Sequence, residues 1–385
     1  MIDLAIIGGG PAGTSAALEA LRRGLTVVIF ERERFPRDKV CGEFISAESL
    51  PLLKSAIPRG LNDGARIRAA EFVSQRGRGL AFPLPQPCLG LSRRVLDWAL
   101  WTHAVSLGAA AMDSMAARKV SQIASGRQAT WEIETDDGEK HCARALLVAC
   151  GRWWKLEGLA SPADAAHRNS AGEWLGAKAH FRGVAPRDIV EIYFFPGGYC
   201  GLAPIEGGLY NACCLVHRSL SRQAGGSAAT DFASWLQEIA KNAALMNRLK
   251  GSTQTGPTVT TAPVQPARRK PVQQGAVLAG DAAGFLDPFT GDGISMALHG
   301  GRLAAGEVAR MLADNSESAT DQEWNRYGKR LAACVRRSYL AAGLLRALVK
   351  APSGVQELAA AAMPAWLGSH LLHETRWHDE NIAID

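Results

Sequence analysis

The first 31 residues constrain this chain more than any other stretch. Ile2 to Ile7 is a nearly continuous apolar run, the pattern of a parallel strand buried on both faces, and Gly8-Gly9-Gly10-Pro11-Ala12-Gly13 follows it directly. Thr14 to Arg23 is rich in Ala and Leu and reads as a helix ended by Gly24; Thr26 to Phe30 returns as a second buried strand running into Glu31. In Gly8-x-Gly10-x-x-Gly13 the first glycine permits a tight turn, the second lets backbone approach a pyrophosphate, and the third lets helix and strand pack closely. The helix opening at Pro11 and Ala12 turns unbonded N–H groups and its positive dipole end toward the phosphates. Glu31 stands where a carboxylate accepts hydrogen bonds from a ribose diol. Together these predict a βαβ dinucleotide-binding unit.

A second signal lies far downstream. Ala276 to Ala279 is another buried strand, and it ends in Gly280-Asp281-Ala282-Ala283-Gly284-Phe285-Leu286-Asp287-Pro288-Phe289-Thr290-Gly291-Asp292-Gly293. Such a strand delivers Asp281 to the carboxyl end of a sheet, where ligands bind in open α/β folds. The long helix expected from Gly293 to Leu312 would aim its N-terminus at a flavin edge, an arrangement that stabilises an anionic reduced flavin. Between the two signals the pattern predicts a helix over Ser46–Ala56, strands near Arg68–Ser74 and Gly79–Phe82 broken by Pro83, Pro85 and Pro87, and a helix over Arg93–Leu107. A β-meander then leads to the buried strand Ala145–Ala149, antiparallel strands fill Glu173–Val216, and helices follow from about Thr230 to Leu249. Thr320-Asp321-Gln322-Glu323 and Ser353-Gly354-Val355-Gln356 are capping boxes, so the chain is expected to end in helices.

Composition narrows the function classes. With 385 residues, 47% hydrophobic and 21% charged, the chain can bury two lobes of core. Its net charge of +6 is scattered, including the Arg268-Arg269-Lys270 trio, which suits anionic cofactors and brings no nucleic-acid motif. The eight cysteines contain no CxxC pair and the nine histidines are dispersed, so no metal site is expected. With no signal sequence and no long uncharged apolar stretch, the expected location is cytoplasmic, with membrane contact at most peripheral.

On these motifs the sequence resembles the FAD-dependent family that groups geranylgeranyl reductases with the para-hydroxybenzoate hydroxylase fold and the flavin halogenases, over about residues 1–315. The resemblance implies that Gly8, Gly10, Pro11, Ala12, Gly13, Glu31 and Arg32 hold the ADP half of FAD. It implies further that Gly280 and Asp281 meet the ribityl chain, that Pro288, Gly291, Asp292, Gly293 and Ile294 lie beneath the isoalloxazine, and that Arg93 of Arg-x-x-Leu-Asp also contacts FAD. Phe35-Pro36-Arg37-Asp38-Lys39-Val40-Cys41-Gly42-Glu43 is similar to the loop of the reductase and halogenase-like branch, where Arg37 and Lys39 would neutralise phosphate and Cys41-Gly42 would bring backbone close to the flavin. Cys41 can equally be a small buried hydrophobe. Tyr193-Phe194-Phe195-Pro196-Gly197-Gly198-Tyr199 resembles the reductases' substrate-lobe strand pair, but Gly201 stands where that pattern carries Trp. Cys150-Gly151 stands where the aromatic hydroxylases carry Asp-Gly, and the halogenase lysine and Trp-x-Trp-x-Ile-Pro signature are not evident.

The expected fold is α/β: a discontinuous Rossmann-like FAD lobe (residues 1–65, 93–165 and 262–330), a mostly antiparallel substrate lobe (66–92 and 166–261) and a C-terminal helical segment (331–385). The expected activity is FAD-dependent redox modification of a small hydrophobic molecule, foremost a monooxygenase-type oxidation with flavin reduced by NAD(P)H or a partner reductase. The alternatives are reduction of isoprenoid C=C bonds and a flavoprotein that serves a partner. Cys41, Glu43 and Tyr199 are the candidate proton donors. Only one Gly-x-Gly-x-x-Gly unit is present, so a nicotinamide cofactor would visit transiently as electron donor. Leu340, Leu344, Leu345, Leu348 and Val349 fall at helical spacing and are expected either to pack on the lobes or to cover an apolar substrate tunnel, with Leu358 to Leu372 adding a further apolar stretch.

Overall fold

The alternation of buried strand and amphipathic helix builds two sheets of unlike character. The computed structural model describes residues 1–124, 130–152, 154–160, 174–223, 231–264, 266–313, 320–350, 354 and 364–377. The first sheet orders its main strands Val272–Gln273, Ala276–Leu278, Lys140–Val148, Ile2–Ile7, Val27–Phe30 and Ala110–Met112. All but the first run parallel. Their apolar runs follow from this placement: Leu4, Ala5, Ile6 and Ile29 are fully buried because helices cover one face and the meander strands Ala117–Ala124 and Thr130–Thr135 help to cover the other.

Two helices pack on the first face, Pro11–Arg22 and Gly293–Ala313. They approach so closely that a Cβ on Gly301 would sit 2.1 Å from the Ala12 carbonyl oxygen. That approach brings the two ligand-binding signals of the sequence side by side, and a Cβ on Gly280 would lie 2.8 Å from the Ala12 methyl.

The second sheet has eight strands in the order Thr253–Thr261, Trp174–Arg182, Leu209–His217, Gly198–Pro204, Ile189–Phe195, Ala65–Val73, Gly79–Gly90 and Phe44–Ile45. It is antiparallel except where Ile189–Phe195 runs parallel to Ala65–Val73. One face packs Phe181, Tyr193, Phe195 and Val216 against Phe232, Trp235 and Leu236 of the helix Phe232–Ala240. The other face, with Phe72, Phe194, Tyr199 and Leu215, looks toward the first lobe.

Two sequence expectations change. The strand expected to break at its prolines runs unbroken from Gly79 to Gly90. Pro83, Pro85 and Pro87 fall at alternate positions, so all three turn their missing N–H to one edge, where the Pro83 carbonyl accepts from the Ser369 hydroxyl at 3.0 Å instead of from a strand. The expected helix over Ser46–Ala56 is a short 3₁₀ turn, Ala47–Ser49, followed by the helix Leu50–Ala56.

At the C-terminus a helix spans Thr320–Lys350 and another Ala365–Glu374. Trp377 is buried among the core residues of the first lobe and stacks on His299 at 5.2 Å, whereas Leu340 of the apolar stripe is 60% exposed. Ser353, Leu358 and Met363 lie outside the described residues, as do the side chains of Leu344, Leu345, Leu348, Val349, Trp366, Leu371 and Leu372.

Candidate active site

A cleft of about 1040 Å³ runs from the carboxyl ends of the parallel strands to the inner face of the second sheet. At its first end lie Gly8, Gly10, Pro11, Ala12, Glu31 and Arg32. Gly8 and Gly13 are glycines for the protein's own sake: a Cβ would meet the Ala149 carbonyl oxygen at 2.4 Å and the Gly8 carbonyl oxygen at 1.8 Å respectively. Gly10 is different. Its φ of −76° suits any residue, and a Cβ there would meet only the Arg93 Nη2 at 3.8 Å. Gly42 and Gly293, which also line the cleft without a positive φ, have nothing described within 4 Å of a Cβ. Three glycines that the fold does not require thus keep backbone bare along one trough, the shape a dinucleotide needs.

The electrostatics of the trough agree. The helix Pro11–Arg22 has no side-chain cap at its N-terminus, and Pro11 occupies its first position, so the N–H groups of its first turn stay available to an anion. Glu31 accepts the Gly9 N–H (2.8 Å), the Glu33 N–H (2.9 Å) and Arg37 Nη2 (2.9 Å), three of the roughly four hydrogen bonds a carboxylate takes. Asp281 lines the cleft, and no described residue hydrogen-bonds its carboxylate. Burial pushes that carboxyl above its ordinary value, while Arg152, Arg93 and Arg269 pull it down.

Not every expected cofactor residue turns inward. Arg37 reaches the cleft wall, but its guanidinium is occupied by Glu31 and by Asp97 Oδ2 at 2.6 Å, and it lies over the Phe35 ring. Arg93 forks onto the same Asp97 at 2.6 and 2.7 Å; against the cost of burial, that carboxylate holds it firmly charged. Gly13 is absent from the cleft wall, and so is Asp292, whose buried carboxylate accepts from the Ser46 hydroxyl at 3.0 Å and faces Arg376 at 3.4 Å. Burial pushes Asp292 up to about 8, with Arg376 working against it. Pro288, Gly291, Gly293 and Ile294 do line the cleft, on the turn that begins with the Asp287 cap and closes through the left-handed Gly291.

Two arginines stand beside Asp281 that sequence reasoning did not assign to the site, Arg152 and Arg269, the latter noted only within its basic trio. Arg152 follows Cys150-Gly151 and stacks over Phe285 at 4.6 Å; Arg269 donates to the Asp281 and Arg152 carbonyls, both at 3.1 Å. Position was the available signal for Arg152, which leaves the carboxyl end of a buried strand. Cys150, where a hydroxylase would carry aspartate, donates to the Ile7 carbonyl at 3.2 Å, and burial pushes its thiol up to about 12.

Beyond the trough the cleft opens into a chamber walled by Phe72, Leu84, Ile192, Tyr199, Leu215, Val264 and Phe289. Gly201 lies in its wall, and a Cβ there would meet only the Cys213 carbonyl oxygen, at 3.7 Å. Cys41 and Gly42 stand where trough meets chamber, and burial raises the Cys41 thiol above its ordinary value. Glu43, the next residue, is fully buried, and its carboxylate meets Lys178, His180 and the Arg93 N–H.

Comparison with known proteins settles which dinucleotide the trough is built for. The family model described as an FAD binding domain matches residues 1–337. The chain belongs to this FAD-binding family. As a family member it is an FAD-dependent oxidoreductase. Among its relatives, digeranylgeranylglycerophospholipid reductase 2 of Methanopyrus kandleri is 26% identical over 83% of this chain and 79% of that protein. Menaquinone reductase of Mycolicibacterium smegmatis is 25% identical over 79% of this chain and 75% of its own length. In fold, the family member is similar to a flavin-dependent brominase (TM-score 0.75, 20% identity, 99% of this chain and 95% of that one). It is equally similar to a geranylgeranyl bacteriochlorophyll reductase-like protein from Thermoplasma acidophilum (TM-score 0.75, 18% identity, 97% and 95%). Among the described residues no helix is long and apolar enough to cross a membrane.

Proposed function

We propose that this flavoprotein reduces carbon–carbon double bonds in an isoprenoid-type lipid. The observation that carries the proposal is the chamber: apolar and aromatic walls meet the flavin trough at a thiol, Cys41, that burial keeps protonated. Phe72, Leu84, Ile192, Val264 and Phe289 suit a hydrocarbon chain and exclude water from it. Walls this apolar suit a hydrocarbon chain better than a polar aromatic ring, so reduction ranks above the oxygenation expected first. The relatives named as reductases support the same choice.

The residue roles follow. The backbone at Gly10 and the uncapped helix behind Pro11 and Ala12 hold the pyrophosphate, Glu31 takes the ribose with its remaining acceptor site, and Asp281 with Arg152 meets the ribityl chain. Gly291, Gly293 and Ile294 would border the isoalloxazine, and Arg93 would support the Gly10 turn from behind. Reduced FAD supplies the hydride equivalent. Cys41 supplies the proton to the second carbon and is reprotonated from solvent. Tyr199 stands on the chamber wall as a second donor; Glu43 is ruled out as donor because its carboxylate is already engaged on three sides. NAD(P)H visiting transiently, or a partner flavin reductase, supplies the electrons.

The test is anaerobic. Holoprotein reduced with dithionite is mixed with a geranylgeranyl lipid, and the product is followed by mass spectrometry. Addition of two hydrogens per double bond without oxygen is expected. A product that forms only with oxygen and gains an oxygen atom would overturn the proposal in favour of a monooxygenase.

A further inference from the structure

Three ionisable side chains next to the thiol are not used by the chemistry above. Glu43 is fully buried and Lys178 is 1% exposed, while His180 reaches the same carboxylate from a half-buried position. Burying such charges is costly unless they are paired and fixed, and Glu43 adds a φ of 56°, a region that residues with a Cβ rarely adopt. A conformation this unfavourable persists only where its surroundings over-determine it.

The surroundings do so from both lobes. The Glu43 carboxylate accepts from the Arg93 N–H at 2.8 Å on the cofactor side, and from Lys178 Nζ and His180 Nε2 (2.7 Å) on the other. Lys178 and His180 alternate along Trp174–Arg182, so both point from the inner face of the second sheet. The neighbouring strand sets Cys213 opposite Lys178 and Asn211 opposite His180, and Asn211 donates to the Cys41 carbonyl at 2.9 Å. The Glu43 N–H in turn points at Cys41 Sγ, 3.4 Å away. Asp38, Glu43 and His180 could be taken for a metal site, since their ligand atoms lie within 4.8 Å of one another. The Lys178 ammonium, within 4.0 Å of both carboxylates, already supplies the positive charge there.

We propose that Lys178 and His180 are positioning residues that act through Glu43 to hold the Cys41 thiol at the flavin face of the chamber. This rests on the reading of Cys41 as proton donor. Removing the Lys178 charge leaves Glu43 buried without its cation, releases the left-handed turn and lets Sγ move. Removing His180 leaves Lys178 and the Arg93 N–H in place and has a smaller effect.

The experiment compares holoprotein carrying Lys178→Met, Lys178→Arg, His180→Gln or Cys41→Ser with the natural protein. Three quantities are measured: bound FAD; kcat and KM for double-bond reduction; and the rate of Cys41 alkylation by iodoacetamide, read by peptide mass spectrometry against the exposed Cys142, with Cys41 alkylation expressed relative to it throughout. In Lys178→Met, FAD should stay bound while kcat falls about tenfold or more with KM within about twofold. Cys41 alkylation should rise several-fold relative to Cys142, and Lys178→Arg should recover most of both. Lys178→Met with natural kcat and natural alkylation overturns the proposal. If Lys178→Met loses its flavin, His180→Gln decides: a smaller shift of both readouts in the same direction supports the clamp, and no shift in either overturns it. Natural turnover in Cys41→Ser refutes the proton-donor reading, and the alkylation rates then still judge the clamp.

Discussion

Gly10 and Gly13 sit three residues apart in one motif, yet alanine at each should fail for a different reason. A Cβ on Gly13 lands 1.8 Å from the Gly8 carbonyl oxygen and 3.2 Å from Ile6 Cγ2, with backbone that cannot yield. Overpacking of this kind costs about 1–3 kcal/mol, and at about 2–4 °C per kcal/mol the apoprotein should melt about 2–12 °C lower. A Cβ on Gly10 meets only a guanidinium nitrogen at 3.8 Å, and its backbone already suits alanine. Apoprotein carrying Gly10→Ala should therefore melt within about 1 °C of the natural protein. Its methyl group would instead intrude on bound pyrophosphate, at a cost of about 1–3 kcal/mol, or about 5- to 150-fold in Kd for FAD. Thermal unfolding of deflavinated protein and a titration of FAD by fluorescence quenching separate the two effects. Unchanged FAD affinity in Gly10→Ala, or unchanged melting in Gly13→Ala, refutes the division of labour between the glycines.

Other outcomes follow from single contacts. Because burial raises the Asp292 carboxyl to about 8, the fold binds its proton more tightly than the unfolded chain; the stability so gained is full at acid pH and is lost as pH rises toward 8. Asp292→Asn should remove that slope, up to about 1.4 kcal/mol per pH unit between about pH 4 and pH 8, and a Tm–pH profile as steep as the natural one sinks this account. Gly201→Trp should leave FAD content unchanged and reduce turnover of long substrates at least about tenfold, since the ring would fill open chamber; equal turnover would mean substrate never reaches that wall. Truncation after Ala351 removes Trp377 from the core and Arg376 from Asp292. It should yield unstable, flavin-poor protein, and a stable holoprotein impaired only on long substrates would restore the lid role.

What was legible in the sequence was local. The spacing of Gly8, Gly10 and Glu31, and of Gly280, Asp281, Pro288 and Gly291, follows from local strand–turn–helix junctions, so their arrival at one cleft could be anticipated without a tertiary structure. Partner choice was not legible. Arg37 looks like a phosphate ligand in sequence, but the fold brings Asp97, sixty residues away, to its guanidinium. Asp292 likewise turns to Ser46 and Arg376, partners on other elements. Lys178 and His180 did carry a signal that went unread: alternate ionisable residues in the interior of a mostly apolar strand, which point to a shared buried partner. The prolines of Gly79–Gly90 misled because their effect depends on which edge of the strand is bonded, and sequence does not show edges.

The order of strands in the parallel sheet also bears on how the protein is made. Ile2–Ile7 touches Lys140–Val148, which touches Ala276–Leu278, so three adjacent strands leave the ribosome over a stretch of some 270 residues. At about 5–20 residues per second, the first waits roughly a quarter of a minute to a minute for the last. Throughout that wait Leu4, Ile6 and Ile29 lack the cover that Val277, Leu303 and Val308 later supply, and Asp281, which borders the cofactor trough, is still unsynthesised. Flavin capture that uses Asp281 therefore waits for the third strand, and before it the N-terminal glycine motif offers only one side of the trough.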